Sequence, residues 1–166
     1  FVPNETFRRG TLLPFAEAVL EFYAHHYPRQ PDGTILLVPA QALETWWVCE
    51  NPMPEVAGLR FVLKQLLAMP AAQIGATRLK AWQKLEAALP PIPLREVAGQ
   101  KSLSPAEAYK SQNNMENPEL YANFPYRVHG FGKPNLELAQ RAFAQRQFQG
   151  NRGWQQDDTQ AAFLGL

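Results

Sequence analysis

The sequence predicts a mainly α protein of helical hairpins, with short β-hairpins and with long loops gathered at one mouth. Three observations carry that expectation. Successive stretches repeat apolar residues at three- and four-residue spacing, the period of a helix with one buried face. Fifteen of the 166 residues are Pro, placed where such stretches begin and end, as proline starts or stops a helix. Two segments, 40–53 and 111–135, have no period and are rich in aromatic and polar side chains, and long structureless stretches in a compact domain are often functional.

The first helix is expected from Thr11 to Pro28. Leu12, Leu13, Phe15, Ala16, Val19, Leu20, Phe22 and Tyr23 form its broad apolar stripe, and His25 and His26 suit its C-terminal end. Pro31-Asp32-Gly33 signals a turn, and residues 34–39, TILLVP, read as a short buried strand. Segment 40–53 reads as a shaped loop. The next helix opens in Asn51-Pro52-Met53-Pro54-Glu55, with Asn51 as cap and Glu55 at the positive end of the dipole. Val56, Leu59, Val62, Leu63, Leu66 and Leu67 form its buried face. A third helix runs from Thr77 to Leu89 on Leu79, Trp82, Leu85, Ala88 and Leu89.

Residues 94–103 read as a hairpin turning at Ala98-Gly99. Ser104-Pro105-Ala106-Glu107 has the form of a capping box opening a short helix. Asn135 caps a fourth helix over 136–148, burying Leu136, Leu138, Ala139, Ala142 and Phe143. After a break at 150–153, a fifth starts near Trp154.

Composition excludes several function classes. Lys and Arg number 16 against 15 Asp and Glu, so the balance supports neither a nucleic-acid binder nor a polybasic membrane protein. No apolar run approaches the roughly 20 residues of a membrane span. The single Cys, Cys49, excludes an internal disulfide and a Cys-based zinc site. No His or Glu spacing suggests a metal, and no phosphate-cradling glycine loop or Gly-x-Ser-x-Gly is present. No cofactor is expected.

The residue types that remain suit carbohydrate. In the first loop, Glu44 stands beside Trp46 and Trp47. Indole faces stack on the apolar faces of sugar rings, and a desolvated carboxyl holds its proton near neutral pH, as a general acid for a glycosidic oxygen must. Equally, both tryptophans are at home in a core, with Glu44 a solvated loop residue. In the second loop, Glu116, Asn117, Glu119, Tyr121, Tyr126 and Arg127 are a set able to hydrogen-bond many hydroxyls in a pocket, or else to tie the loop. Asp157 and Asp158 suit a helix N-terminus, or a catalytic base.

Three runs in order, PAQALETWWVCENPMPEVAGLRFVLKQLL from Pro39, ENPELYANFPYRVHGFGKPNLELAQRAF from Glu116, and NRGWQQDDTQAAFLGL from Asn151, resemble the catalytic domain of six-hairpin glycosidases. The nearest likeness is the group around glycoside hydrolase family 95, the alpha-L-fucosidases and alpha-galactosidases, with their secreted relatives. That resemblance implies an (α/α)6 toroid and inverting hydrolysis by an acid and a base about 6.5–9.5 Å apart, with no metal in the chemistry. It places the general acid on Glu44, with Trp46, Trp47 and Asn51 around it. Residues 117–127 would line the mouth, and Trp154 would stand at its rim. Where the family carries Ser-Pro-Glu-Asn, this chain has Ala42-Leu43-Glu44-Thr45, which leaves Glu50 and Glu55 as further candidates. The family's two base motifs do not occur in this sequence.

The resemblance thus implies a partial catalytic domain over 1–166, truncated at both ends, of a secreted or periplasmic bacterial glycoside hydrolase. The substrate is carbohydrate, the base comes from outside the chain, and the isolated chain is inactive. Cut ends are expected to expose apolar helix faces. The alternatives are a non-catalytic carbohydrate-binding or scaffold protein on the same toroid, a helical-hairpin interaction module, and a toroid lyase or phosphorylase.

Overall fold

A computed structural model describes residues 4–150 and 155–166. Its architecture is mixed, with helices beside two small antiparallel sheets, and so carries more strand than a mainly α reading expects. A short helix α1 (Glu5–Phe7) and a π-helical turn (Arg8–Leu12) lead into α2 (Leu13–His26). Strands β1 (Ala40–Ala42) and β2 (Trp46–Glu50) precede α3 (Met53–Leu67), and α4 (Ala71–Ile74) and α5 (Ala76–Ala87) follow it. Next come β3 (Leu94–Val97), β4 (Gln100–Leu103) and β5 (Ala108–Gln112). A 3-10 turn (Pro118–Ala122), α6 (Leu136–Ala144) and α7 (Asp157–Phe163) complete the described chain.

One core lies between α2, α3 and α5. Leu13 and Leu20 meet Val56, Leu59 and Leu63, and Trp82 and Leu85 close it from α5. Ile35 and Leu37 enter the same core, but the segment around them is not a strand. Ile35 N–H donates to Ala88 O and Leu36 N–H to Pro28 O. Only an isolated bridge joins Arg29 to Ile35, so TILLVP is a buried extended connection held by helix ends. A second core joins Met53 and Ala57 of α3 to Leu103, Leu120, Ala139 and Leu164.

Segment 40–53 is a hairpin where the sequence suggests a loop. Leu43 takes a positive φ of 53° at its tip, and β2 pairs on its other side with β5, sixty residues away in sequence. That partner also overturns the helix expected at 104–107. Ser104 Oγ donates to Ala106 O, Met53 N–H donates to Pro105 O, and Glu107 N–H donates to Glu50 O. The backbone is thereby committed to the sheet. Asn51 does not cap α3 either. The N-cap position is Pro52, and Asn51 instead receives the Leu37 N–H on Oδ1 at 2.8 Å.

The β3–β4 hairpin is as expected, with Leu94 opposite Leu103. Ala98 (φ 51°) and Gly99 (φ 74°) form its turn, the doubly left-handed geometry for which Asn-Gly is preferred. Ala98→Asn is therefore expected to stabilise the chain by about 0.5–1 kcal/mol, since Asn tolerates the left-handed region better than Ala; urea denaturation reads this directly. Along α2, only Leu13, Ala16 and Leu20 of the apolar stripe are buried. Phe15 is 69% exposed, and Leu12, Val19 and Phe22 are exposed with it.

Candidate functional site

Helix α3 starts where it does because Pro52 is extended and Pro54 needs no N–H donor in a first turn. That start places Glu55 in the first turn, at the edge of a cleft of about 360 Å3 between α2 and α3. Tyr23 of α2 stands on one side, Tyr121 and Tyr126 on another, and Leu43 of the β1–β2 turn over the top. Gly58, one turn beyond Pro54, admits Tyr126. A side chain there would place its Cβ 3.1 Å from Tyr126 Cζ and 3.2 Å from the phenol oxygen.

The cleft is mostly apolar, and among the described residues Glu55 is its one carboxyl. Glu55 Oε2 is buried without a hydrogen-bond partner. Burial pushes the pKa of this carboxyl up to about 7, against an opposing hydrogen bond from its own backbone N–H. Burial likewise raises the phenols, Tyr23 to about 12. The charge of Glu55 adds to the rise at Tyr23 and Tyr126, and that of Glu116 at Tyr121. All three tyrosines therefore stand in the cleft as neutral hydroxyl donors.

The two polar-aromatic segments meet beside this cleft. Glu116 N–H donates to Thr45 Oγ1 at 3.1 Å, and that hydroxyl lies 3.3 Å from Glu116 Oε2. Asn113 N–H donates to Thr45 O, and Asn114 Nδ2 donates to Glu44 Oε2 at 3.1 Å. Glu44, Trp47, Gln41, Asn113 and Asn114 line an open hollow at this rim. Trp47 is 57% exposed, so its indole face is available, but its N–H is spent on Glu44 O at 2.9 Å. Trp46 packs edge-on against Tyr109 at 4.9 Å instead of facing the hollow. Glu44 itself is exposed in the turn, so the indoles do not desolvate it.

Other expected sugar ligands serve the scaffold. Asn51 is 1% exposed, and its Nδ2 donates to Glu107 Oε2 at 2.6 Å, which leaves no group for a substrate. Glu119 is 3% exposed, 3.8 Å from Arg95, with a pKa raised by burial to about 7 despite that cation. The Pro118–Ala122 turn carries it into the interior. Asn117 spends both ends of its amide on the backbone of Phe148. Asp157 is buried against Arg146 at 2.9 Å and accepts from Gly150 N–H, the part of a helix-start anchor. Asp158 follows it, exposed. Even so, Glu116, Asn117, Tyr121 and Asp157 come together around one small hollow, with Gln156 and Gln160. Arg127 sits on a separate hollow with Tyr126. Trp154 lies outside the described residues.

Sequence reasoning missed Tyr23 and Gly58, and ranked Glu55 below Glu44. Tyr23 falls on the helical stripe and reads as core. The signal available was the Glu55 position itself, a carboxylate one residue after Pro54 on a face otherwise continuously apolar. Among the described residues, no cluster of His, Cys, Asp and Glu has the geometry to hold a metal ion, and no helix is long and apolar enough to cross a membrane. Comparison with family models, curated proteins and solved structures finds no match to this chain.

Proposed function

We propose that this chain supplies the acid side of a glycoside hydrolase, its helices forming part of a six-hairpin toroid whose mouth is the tyrosine-walled cleft and its rim. The observation that carries this reading is Glu55, a carboxyl that keeps its proton near neutral pH in an apolar cleft with an unpartnered oxygen. That is the environment a general acid for a glycosidic oxygen requires. Glu55 donates its proton to the departing oxygen as the C–O bond breaks. The phenols of Tyr23, Tyr121 and Tyr126 donate to sugar hydroxyls, and their rings cover its apolar face. A base outside this chain activates water on the opposite face, so the anomeric configuration inverts. Glu44, exposed at the rim, is the rival acid. The exposed apolar stripe of α2 supports the toroid, since neighbouring hairpins would cover it.

The test is hydrolysis of aryl α- and β-glycosides of fucose, galactose, arabinose and rhamnose by the intact protein. Cleavage is expected with kcat falling as pH rises through about 7, the value to which Glu55 is raised. Absence of cleavage across the set overturns the proposal. The 166-residue chain alone is expected to bind sugar without cleaving it, so measurable hydrolysis by it would show that the base lies within. The exposed indole of Trp47 beside Asn113 and Asn114 favours a second reading, a carbohydrate-binding protein without catalysis. Binding without turnover by the intact protein would establish it.

A further inference from the structure

Tyr126 also lines a second hollow, of about 420 Å3. Four cations line it: Arg60 and Lys64 from α3, and Arg127 and Lys133 from the segment after the 3-10 turn. Among the described residues no carboxylate lines it; Glu86 is the acidic group whose field reaches Arg60. The nearly neutral chain thus gathers a quarter of its 16 basic residues on one concavity.

Two of the cations are fixed in place. Arg60 Nη2 donates to Pro90 O at 2.6 Å and to Leu89 O at 3.3 Å, and its Nε is buried without a partner. Arg127 takes a positive φ of 51°, and its guanidinium lies over the Phe163 ring at 5.1 Å. Lys64 and Lys133 are exposed. Like charges held together at a concave surface repel one another and are stabilised by an anion that enters between them. Tyr126 lines both this hollow and the Glu55 cleft, so the two adjoin across its ring.

We infer that the hollow binds an oxyanion carried on a glycan, a sulfate ester or a uronate carboxylate, while the sugar ring occupies the adjoining cleft. The glycan part of this assignment rests on the glycosidase reading; the anion part rests on the four cations. Arg127 offers a planar fork that matches such oxygens, Arg60 adds a fixed charge at the wall, and the lysines add point charges.

The test measures binding of methyl β-galactoside, its 6-sulfate and methyl β-galacturonide to the intact protein by calorimetry, at low and high salt. A charged sugar is expected to bind on the order of tenfold more tightly than the neutral one, the worth of one charged hydrogen bond. That gain should shrink with salt. Lys64→Gln with Lys133→Gln should remove most of it and leave affinity for the neutral sugar unchanged. Whichever charged sugar shows the gain identifies the source of the oxyanion. Equal affinities for all three sugars, or a gain that survives both substitutions, overturns the inference while leaving cleavage of neutral glycosides to stand. A lysine-dependent gain without cleavage of any glycoside supports the hollow and overturns the glycosidase reading alone. Tighter lysine-dependent binding of a single-stranded oligonucleotide than of either charged sugar overturns the glycan assignment.

Discussion

Glu55→Gln is expected to lower kcat of the intact protein on an alkyl glycoside by roughly 10²–10⁴-fold, the contribution of a positioned general acid. The amide keeps the shape and polarity of the carboxyl and removes only the transferable proton. KM should change little, because the three tyrosines that hold the sugar are untouched. An aryl leaving group of low pKa needs little protonation, so the loss should be smaller for nitrophenyl than for alkyl glycosides, and that difference separates an acid from a group that merely binds. Glu44→Gln supplies the comparison. If it abolishes turnover and Glu55→Gln does not, the acid is Glu44.

The same substitution should stabilise the fold above neutral pH. Burial raises Glu55 from an ordinary value of 4.5 to about 7, so the folded state disfavours its charge. Below pH 4.5 the carboxyl is protonated in both states and carries no penalty. Between there and pH 7 the unfolded chain ionises first, and stability falls by on the order of 3 kcal/mol once both states are charged. Glu55→Gln should therefore melt higher than the parent at pH 8 and level with it at pH 4. Glu119 has a raised pKa of about 7 for the same reason, yet faces Arg95 instead of a cleft. Glu119→Gln should change how stability depends on pH and leave kcat alone. Loss of kcat in Glu119→Gln would mean that the buried carboxyl shapes the cleft from beneath.

Local signals were readable where they decide local structure. Ala98-Gly99 can close only a tight hairpin turn, and α3 and α5 follow from the apolar period alone. The β1–β2 hairpin was not readable, because only Ala42 and Cys49 of its strands are buried and so no alternation appears. Its strands are held by β5, a pairing that no window of neighbouring residues contains. The same distance in sequence hides the site. Thr45 with Glu116, Glu44 with Asn114, and Glu55 with Tyr126 are neighbours only in space. Residue type suggested a general acid beside aromatics. Which carboxyl becomes desolvated is set by packing, and packing chose the first turn of α3 over the exposed tip of the hairpin.

Asn51 is the joint that holds this arrangement, and its replacement should be among the most damaging to stability. It links β2 to α3 at a positive φ of 47°, a conformation that costs most residues roughly 1–2 kcal/mol and Asn less. Its Oδ1 accepts the N–H of Leu37, a residue fully buried in the α2–α3–α5 core, and its amide donates to Glu107, the residue before β5. Asn51→Leu leaves the Leu37 N–H buried without a partner, at a cost of about 1–3 kcal/mol, and adds the backbone strain. A total near 3 kcal/mol is expected, readable as a lowered urea midpoint. Asn51→Asp is the sharper probe. An aspartate can still accept from Leu37, but it sets a second carboxyl 2.6 Å from Glu107 Oε2, where Nδ2 now donates. At low pH one shared proton bridges the two oxygens and the fold should hold. As pH rises through the carboxylate range that proton leaves, both groups charge, and stability should fall. If Asn51→Asp is as stable as the parent at pH 8, Asn51 does not join the first core to the sheet, and Glu55 must owe its position to α3 alone.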